Sequence, residues 1–272
     1  MNQKQKKKAS FFLFFIFFTL LFCRRIPASA DTFFGETPTG LLEITDYKYP
    51  VYLFVPPNYK PDRSFPLIVT VPGEGESPEK NIQYWTGLAK RKGLIVLAPT
   101  NIWPRELPAQ DMDDWLIKIK KEVGERYQIA QNKIFLIGKE GGAHYAAYLG
   151  VRYPEEFSAV ALIGGSWAGR FENLIRLEKS PRKQRPFFVA LKDDDPELIR
   201  ETEKKAFEFE RSGYPIYFIK LGRDEDFTDE EFKKRVLQWL DDKSQDWLRI
   251  AEARKKTLKE KISVATEEFF HL

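Results

Sequence analysis

The stretch Ile134-Phe135-Leu136-Ile137-Gly138-Lys139-Glu140-Gly141-Gly142-Ala143-His144-Tyr145-Ala146-Ala147-Tyr148 decides the fold. Four consecutive apolar residues are the pattern of a strand buried on both faces. A tight turn framed by glycines follows, then a small-residue and aromatic run at helical spacing. Strand, glycine-framed turn and helix make up half of a βαβ unit. The glycines allow strand and helix to approach where a side chain would clash.

Working outward, the same alternation fills about 190 residues. Apolar, β-branched or aromatic runs occur at Tyr49–Val55, Pro66–Val71, Leu94–Ala98, Lys133–Ile137, Ser158–Ile163, Pro186–Leu191 and Ile216–Leu221. Helical patterns lie between and after them at Glu79–Lys92, Ala109–Tyr127, Gly141–Tyr153, Pro196–Ser212 and Asp229–Asp241. Ser77-Pro78 and Asp195-Pro196 read as N-caps with proline at the first helical position. Thr228 with Glu231 reads as a capping box. Leu42–Asp46 and Tyr49–Val55, joined by a short turn, read as an antiparallel edge. The alternation predicts a three-layer α/β fold: a mostly parallel central sheet with helices on both faces. At the carboxyl end of the chain, Trp247, Ile250, Leu258, Ile262, Ala265 and Phe269 recur at three- and four-residue spacing, which predicts an amphipathic helix.

Length and charge limit the function classes. The chain has 272 residues, 44 Lys+Arg, 40 Asp+Glu and 43% hydrophobic residues, enough for a core. Six of the basic residues and no acid fall in residues 1–30, so the remainder carries 38 basic against 40 acidic residues. The basicity belongs to the N-terminus, and no basic body is left to bind nucleic acid. Lys4–Lys8 form a charged start. Phe11–Phe22 is a run of twelve residues, seven of them Phe, short for a hydrocarbon core of about 30 Å. Ala28-Ser29-Ala30 then offers a small-residue cleavage site. Together these predict a secretory signal peptide over residues 1–30, a domain over 31–243 and a helical extension over 244–272. Cys23 is the only cysteine. The expected locations are a bacterial periplasm or the exterior. An uncleaved leader, or lipidation of Cys23 behind the bulky Phe22, is the alternative route to a membrane.

The elbow stretch, with Arg152-Tyr153-Pro154-Glu155-Glu156-Phe157, Ala159-Val160-Ala161 and Tyr52-Leu53-Phe54-Val55-Pro56-Pro57-Asn58-Tyr59, resembles the α/β-hydrolase family. The likeness is to its exported esterase and polyhydroxyalkanoate-depolymerase-like members, over about Tyr49 to Lys243. The resemblance implies a G-x-S-x-G elbow, an oxyanion loop after the third strand, an acid after the strand before last and a histidine after the last strand. This chain departs at all of these but the acid. Glu140 stands at the nucleophile position. The oxyanion loop is Pro72-Gly73-Glu74-Gly75, with Gly73, Glu74 and Gly141 as the matching backbone donors and Glu74 opposing negative charge. Asp193 and Asp194 match the acid, Asp195 being a helix cap. Gly222-Arg223-Asp224-Glu225-Asp226 holds no histidine. A triad needs a base that takes and returns a proton. His144, one turn into the helix, reads as a packing residue, and His271 is penultimate. Ser166 lacks both an elbow and a base.

Dehalogenase-like and epoxide-hydrolase-like members carry a carboxylate at the elbow, but it is Asp, and they still use histidine. The expectation is therefore a degenerate triad and a non-catalytic binding protein, taking a small molecule or a protein at the strand-end cleft. The alternative is an active hydrolase of ester or related bonds with a carboxylate site at Glu140. Without catalytic need, the Gly141-Gly142 pair predicts a relaxed turn at Glu140. Arg223 is the expected partner of Glu140, with Lys139 or Lys192 behind it. Trp103, Trp115, Trp167 and Trp239 read as core or rim aromatics, with Trp103 or Trp167 as the alternative cleft wall. Asp193-Asp194-Asp195 reads as capping and solvation in preference to a Ca²⁺ site. No metal signature, phosphate loop or dinucleotide fingerprint is present, and no cofactor is expected.

Overall fold

The computed structural model describes residues 37–100, 109–222, 224–246 and 249. The described residues from Pro38 onward belong to one compact unit. The leader, Trp103, His271 and the apolar stripe from Trp247 onward lie outside the described residues.

Among the described residues eight strands form one sheet: β1 (Gly40–Ile44), β2 (Val51–Val55), β3 (Phe65–Val71), β4 (Ile95–Pro99), β5 (Ile129–Lys139), β6 (Ala159–Ile163), β7 (Phe187–Lys192) and β8 (Ile216–Leu221). Their spatial order is β1-β2-β4-β3-β5-β6-β7-β8. β2 runs antiparallel to both β1 and β4, and every pairing from β4 to β8 is parallel. The antiparallel edge and parallel body are as the sequence predicts.

Among the described residues five helices cover the sheet: α1 (Pro78–Lys92), α2 (Ala109–Arg126), α3 (Gly141–Arg152), α4 (Pro196–Arg211) and α5 (residues 230–246). The two-residue period of the strands sorts them into two cores. Leu67 and Val69 of β3 face Leu116 and Ile119 of α2, Ala146 of α3 and Phe209 of α4. Ile68 faces the other way, toward Ile82 and Trp85 of α1 and Val236 and Leu240 of α5. Burial on both faces explains why these strands read as continuous apolar runs.

The expected caps hold at two of three helices. The Ser77 hydroxyl accepts from the Lys80 amide at 3.2 Å, and the Asp195 carboxylate from the Leu198 amide at 3.0 Å. Thr228 is not a cap. α5 starts at residue 230, behind Asp229, whose carbonyl accepts from the Lys233 amide at 3.1 Å. α5 also continues through residue 246, past Asp241, where the helical pattern was expected to end.

α3, the helix of the deciding stretch, is pinned to α2 by a buried carboxylate. Asp113 is 0% exposed and accepts from the hydroxyls of Tyr145 at 2.7 Å, Tyr148 at 2.8 Å and Tyr153 at 3.1 Å. Burial raises its pKa above the ordinary value even against those three bonds.

Candidate functional site

Register brings the loops together. Val71 pairs with Gly138, Lys139 with Ile163, and Lys192 with Leu221, so five parallel strands end along one edge. The carboxyl edge of such a sheet is where ligands of open α/β folds bind.

Glu140 stands at the centre of this edge with φ 49° and ψ −122°. It is the one positive-φ residue other than glycine among the described residues. The expectation of a relaxed turn is overturned. The reason is packing rather than chemistry. A Cβ on Gly138 would sit 2.4 Å from the Gly142 carbonyl oxygen, and one on Gly142 would sit 2.4 Å from the Pro72 carbonyl oxygen. The Glu140 amide also donates to the Ile163 carbonyl at 2.7 Å, and the Ala143 amide to the Glu140 carbonyl at 3.0 Å. Strand and helix are clamped too close for residue 140 to turn any other way. The strain of such a conformation is roughly 1–3 kcal/mol.

The Glu140 side chain is exposed and makes no side-chain cap bond to α3. It packs over Gly73 and Gly164: hypothetical Cβ atoms there fall 2.9 Å from its Oε2 and 3.5 Å from its Cγ. Phe227 reaches the same Gly164 position, its Cε2 lying 3.3 Å from that hypothetical Cβ. An aromatic ring, not an imidazole, therefore stands beside the elbow. A cleft of about 360 Å³ opens here, with Lys139, Glu140, Lys192, Asp194, Asp226 and Phe227 in its wall.

The expected site residues separate into those the fold gathers and those it does not. Glu140 and Asp194 share the cleft, and Asp195 shares its wall while capping α4. The Asp193 amide is spent on the Leu221 carbonyl at 3.0 Å. Asp224 is solvent-exposed, and Arg223 lies outside the described residues. Lys139, considered as a partner of Glu140, pairs with Glu76 at 3.1 Å instead. Lys192 lies over the Phe227 ring, 5.8 Å from its centroid. Glu74 is exposed, and the carboxylate that meets the Gly73 amide is that of Glu76, at 3.3 Å. Gly141 opens α3.

Asp226, two residues past Asp224, is a cleft residue that sequence reasoning passed over. Its carboxyl is held below the usual range by the Thr228 amide first, and then by the charges of Lys192 and Lys139. Tyr84, also unforeseen, donates its hydroxyl to the Phe227 carbonyl, and Lys139 lies over its ring, 5.3 Å from the centroid. Burial, and then the charges of Asp226 and Glu76, push the Tyr84 hydroxyl well up. The spacing Gly73-x-x-Glu76 was the signal available for Glu76.

His144 is half-buried, and its Nδ1 meets the Ser166 carbonyl at 2.9 Å. A carbonyl only accepts, so Nδ1 carries the proton there. The ring is packed under Gly169, where a Cβ would come within 2.5 Å of Nδ1. Ser166 is buried, its hydroxyl accepting from the Ala168 amide at 3.1 Å. Trp167 lies in the core against Phe187 and Phe209 and not in the cleft wall, whereas Trp115 and Trp239 are half-buried. Among the described residues no three His, Cys, Asp or Glu side chains are grouped to hold a metal, and no helix is long and apolar enough to cross a membrane.

A sheet of eight strands in this order with one antiparallel flank has counterparts among solved structures. The chain superimposes on a thermostable esterase with TM-score 0.58 and 21% identity, covering 74% of this chain and 62% of that one. It therefore spans less than two thirds of that esterase. MGS-M1, an α/β hydrolase from a deep-sea metagenome library, gives TM-score 0.58 and 17% identity over 77% of this chain and 99% of its own. The S-formylglutathione hydrolase of Staphylococcus aureus gives 0.57 and 11% over 74% and 97%. The fold is the α/β-hydrolase fold. Identities this low establish the fold alone. No family model matches the sequence, and no curated protein matches it. Within the α/β-hydrolase fold, Glu140 occupies the elbow and Phe227 the loop after the last strand.

Proposed function

We propose that this chain is an exported, catalytically silent α/β-hydrolase-fold protein that binds a small polar molecule in its strand-end cleft. The observation that carries the reading is the pairing at the elbow. A carboxylate takes the strained position, and the side chain packed beside it is Phe227, which moves no proton. His144 is turned to a carbonyl within its own layer. Acyl transfer on this frame needs a nucleophile and a base to shuttle its proton. The described side chains offer acids and ammonium groups at the cleft, and no imidazole. Export rests on the charged start, the Phe-rich run and Ala28-Ser29-Ala30. The mature chain then begins at Asp31.

The test is hydrolysis of short-chain p-nitrophenyl esters by the mature chain. Release at the rate of the protein-free blank is expected, and Glu140→Ser alone is expected to stay there, because no histidine returns with it. Turnover that disappears in Glu140→Gln would overturn the reading in favour of a carboxylate enzyme.

A further inference from the structure

The two loops that flank the elbow close in the same way. In the first, the Gly73 amide donates to Glu76 Oε2 at 3.3 Å, and the Glu76 amide to the Gly73 carbonyl at 3.2 Å. In the second, the Gly222 amide donates to Glu225 Oε2 at 2.9 Å, and the Glu225 amide to the Gly222 carbonyl at 3.2 Å. Each is a Gly-x-x-Glu turn sealed by its own carboxylate.

The two turns differ in what else holds that carboxylate. Gly222, Asp224 and Glu225 are exposed. Gly73 is buried, and the Glu76 side chain is only 10% exposed. The second oxygen of Glu76 takes the Lys139 ammonium at 3.1 Å. Lys139 is itself 19% exposed and immediately precedes Glu140. One carboxylate thus has a backbone N–H from the loop on one oxygen and an ammonium from the elbow on the other. That is how a protein holds a bound anion, with charge-assisted donors fixed on separate elements. Here the anion is covalently part of the chain.

We propose that Glu76 is a built-in plug: it fills a small-carboxylate site formed between the Gly73 amide and the Lys139 ammonium. While it is in place, no external anion reaches either donor, and loop 73–76 is tied to the elbow. Without it, the pair of donors takes a free carboxylate of the size of acetate, the group that Glu76 itself presents. The inference goes beyond the binding role proposed above: Gly73 and Glu76 lie outside the cleft wall, and Lys139 is the one residue the two sites share.

The experiment is a sodium acetate titration, against sodium chloride at matched ionic strength, read by the amide shift of Gly73 in ¹⁵N-labelled chain. In Glu76→Ala a saturable shift is expected. Adding Lys139→Met should weaken it about tenfold, the share of one charge-assisted contact. The unaltered chain should show no saturable shift at Gly73. Glu225→Ala should show none at Gly222, whose turn has no second donor to that carboxylate among the described residues. A Glu76→Ala chain that ignores acetate, or an unaltered chain that responds equally, would overturn the plug. Should Glu76→Ala not fold, Glu76→Gln keeps the side-chain shape and removes the charge. Lys139 should then react several-fold faster with trinitrobenzenesulfonate than in the unaltered chain, measured against Lys192 in the same digest. An unchanged ratio would equally refute the proposal.

Discussion

The elbow at 138–142 and the loop at 222–228 meet at one edge of the sheet and are built on opposite principles. At the elbow the backbone decides. Hypothetical Cβ atoms on Gly138 and Gly142 run into main-chain carbonyls at 2.4 Å, and Glu140 is forced to φ 49° whatever its side chain does. In the loop after β8 side chains decide. Glu225 folds back on Gly222, Asp226 takes the Thr228 amide, and Phe227 leans over Gly164. A turn fixed by backbone contact survives any change of chemistry at its tip. A loop fixed by its own side chains has no such memory, and it is where the base of a triad would have had to stand. The shape of the elbow is therefore set independently of the side chain at its tip.

The largest expected break is Gly142→Ala. Its methyl group would meet the Val71 and Pro72 carbonyl oxygens at 2.5 and 2.4 Å, backbone that cannot step aside. A loss of about 3 kcal/mol in urea unfolding is expected, the upper range for overpacking. A loss below about 1 kcal/mol would show that the clamp yields.

Next comes the anchor behind the elbow. Asp113→Ala leaves three tyrosine hydroxyls without their acceptor and should cost about 2 kcal/mol. Its pH dependence has a definite sign. The folded chain raises the Asp113 pKa above the ordinary 3.8, so it favours the protonated acid. That contribution is complete below 3.8 and is lost as pH rises through the folded value. The stability gap between the unaltered chain and Asp113→Ala should therefore narrow as pH rises. A gap that widens contradicts the assignment.

Glu140→Gly sharpens the comparison from the other side. Glycine accepts the φ of 49° that costs glutamate strain. The gain is offset in part by the greater freedom of glycine in the unfolded chain, leaving about 1 kcal/mol of stabilisation in thermal unfolding. Unchanged or reduced stability would mean that the turn is unstrained.

The smallest effect concerns the charge that the loop after β8 brings to Glu140. The Glu140 side chain is exposed. A double-mutant cycle of Glu140→Gln and Arg223→Met should give a coupling of about 0–1 kcal/mol, as for surface pairs. A coupling of about 3 kcal/mol or more would place both groups in a buried latch.

Much of this was legible in the residues. Ile134–Ile137 reads as a doubly buried strand because helices cover both of its faces. Ser77-Pro78 and Asp195-Pro196 announce their helices because cap and first turn are adjacent in sequence. Glu140 could be placed at the elbow from its glycine frame and the family resemblance that frame carries. Its strain could not, because the atoms that enforce it belong to Val71 and Pro72, nearly 70 residues earlier. The partner of Lys139, a fallback behind Arg223 for pairing with Glu140, was hidden for the same reason. The neighbour of Lys139 in sequence is Glu140, and its partner is Glu76, delivered by the pairing of β3 with β5. Likewise Thr228 with Glu231 fits a capping box by spacing, yet the helix begins one residue too late for it.

Local order and composition determined the strands, most of the caps, the elbow and the missing histidine beyond β8, because each depends on residues within a few positions of one another. Tertiary structure alone decided which charges meet, which backbone is strained and which ring stands beside Glu140. Those are set by the register of parallel strands far apart in the chain, and contacts of that range leave no periodic signal in a single sequence.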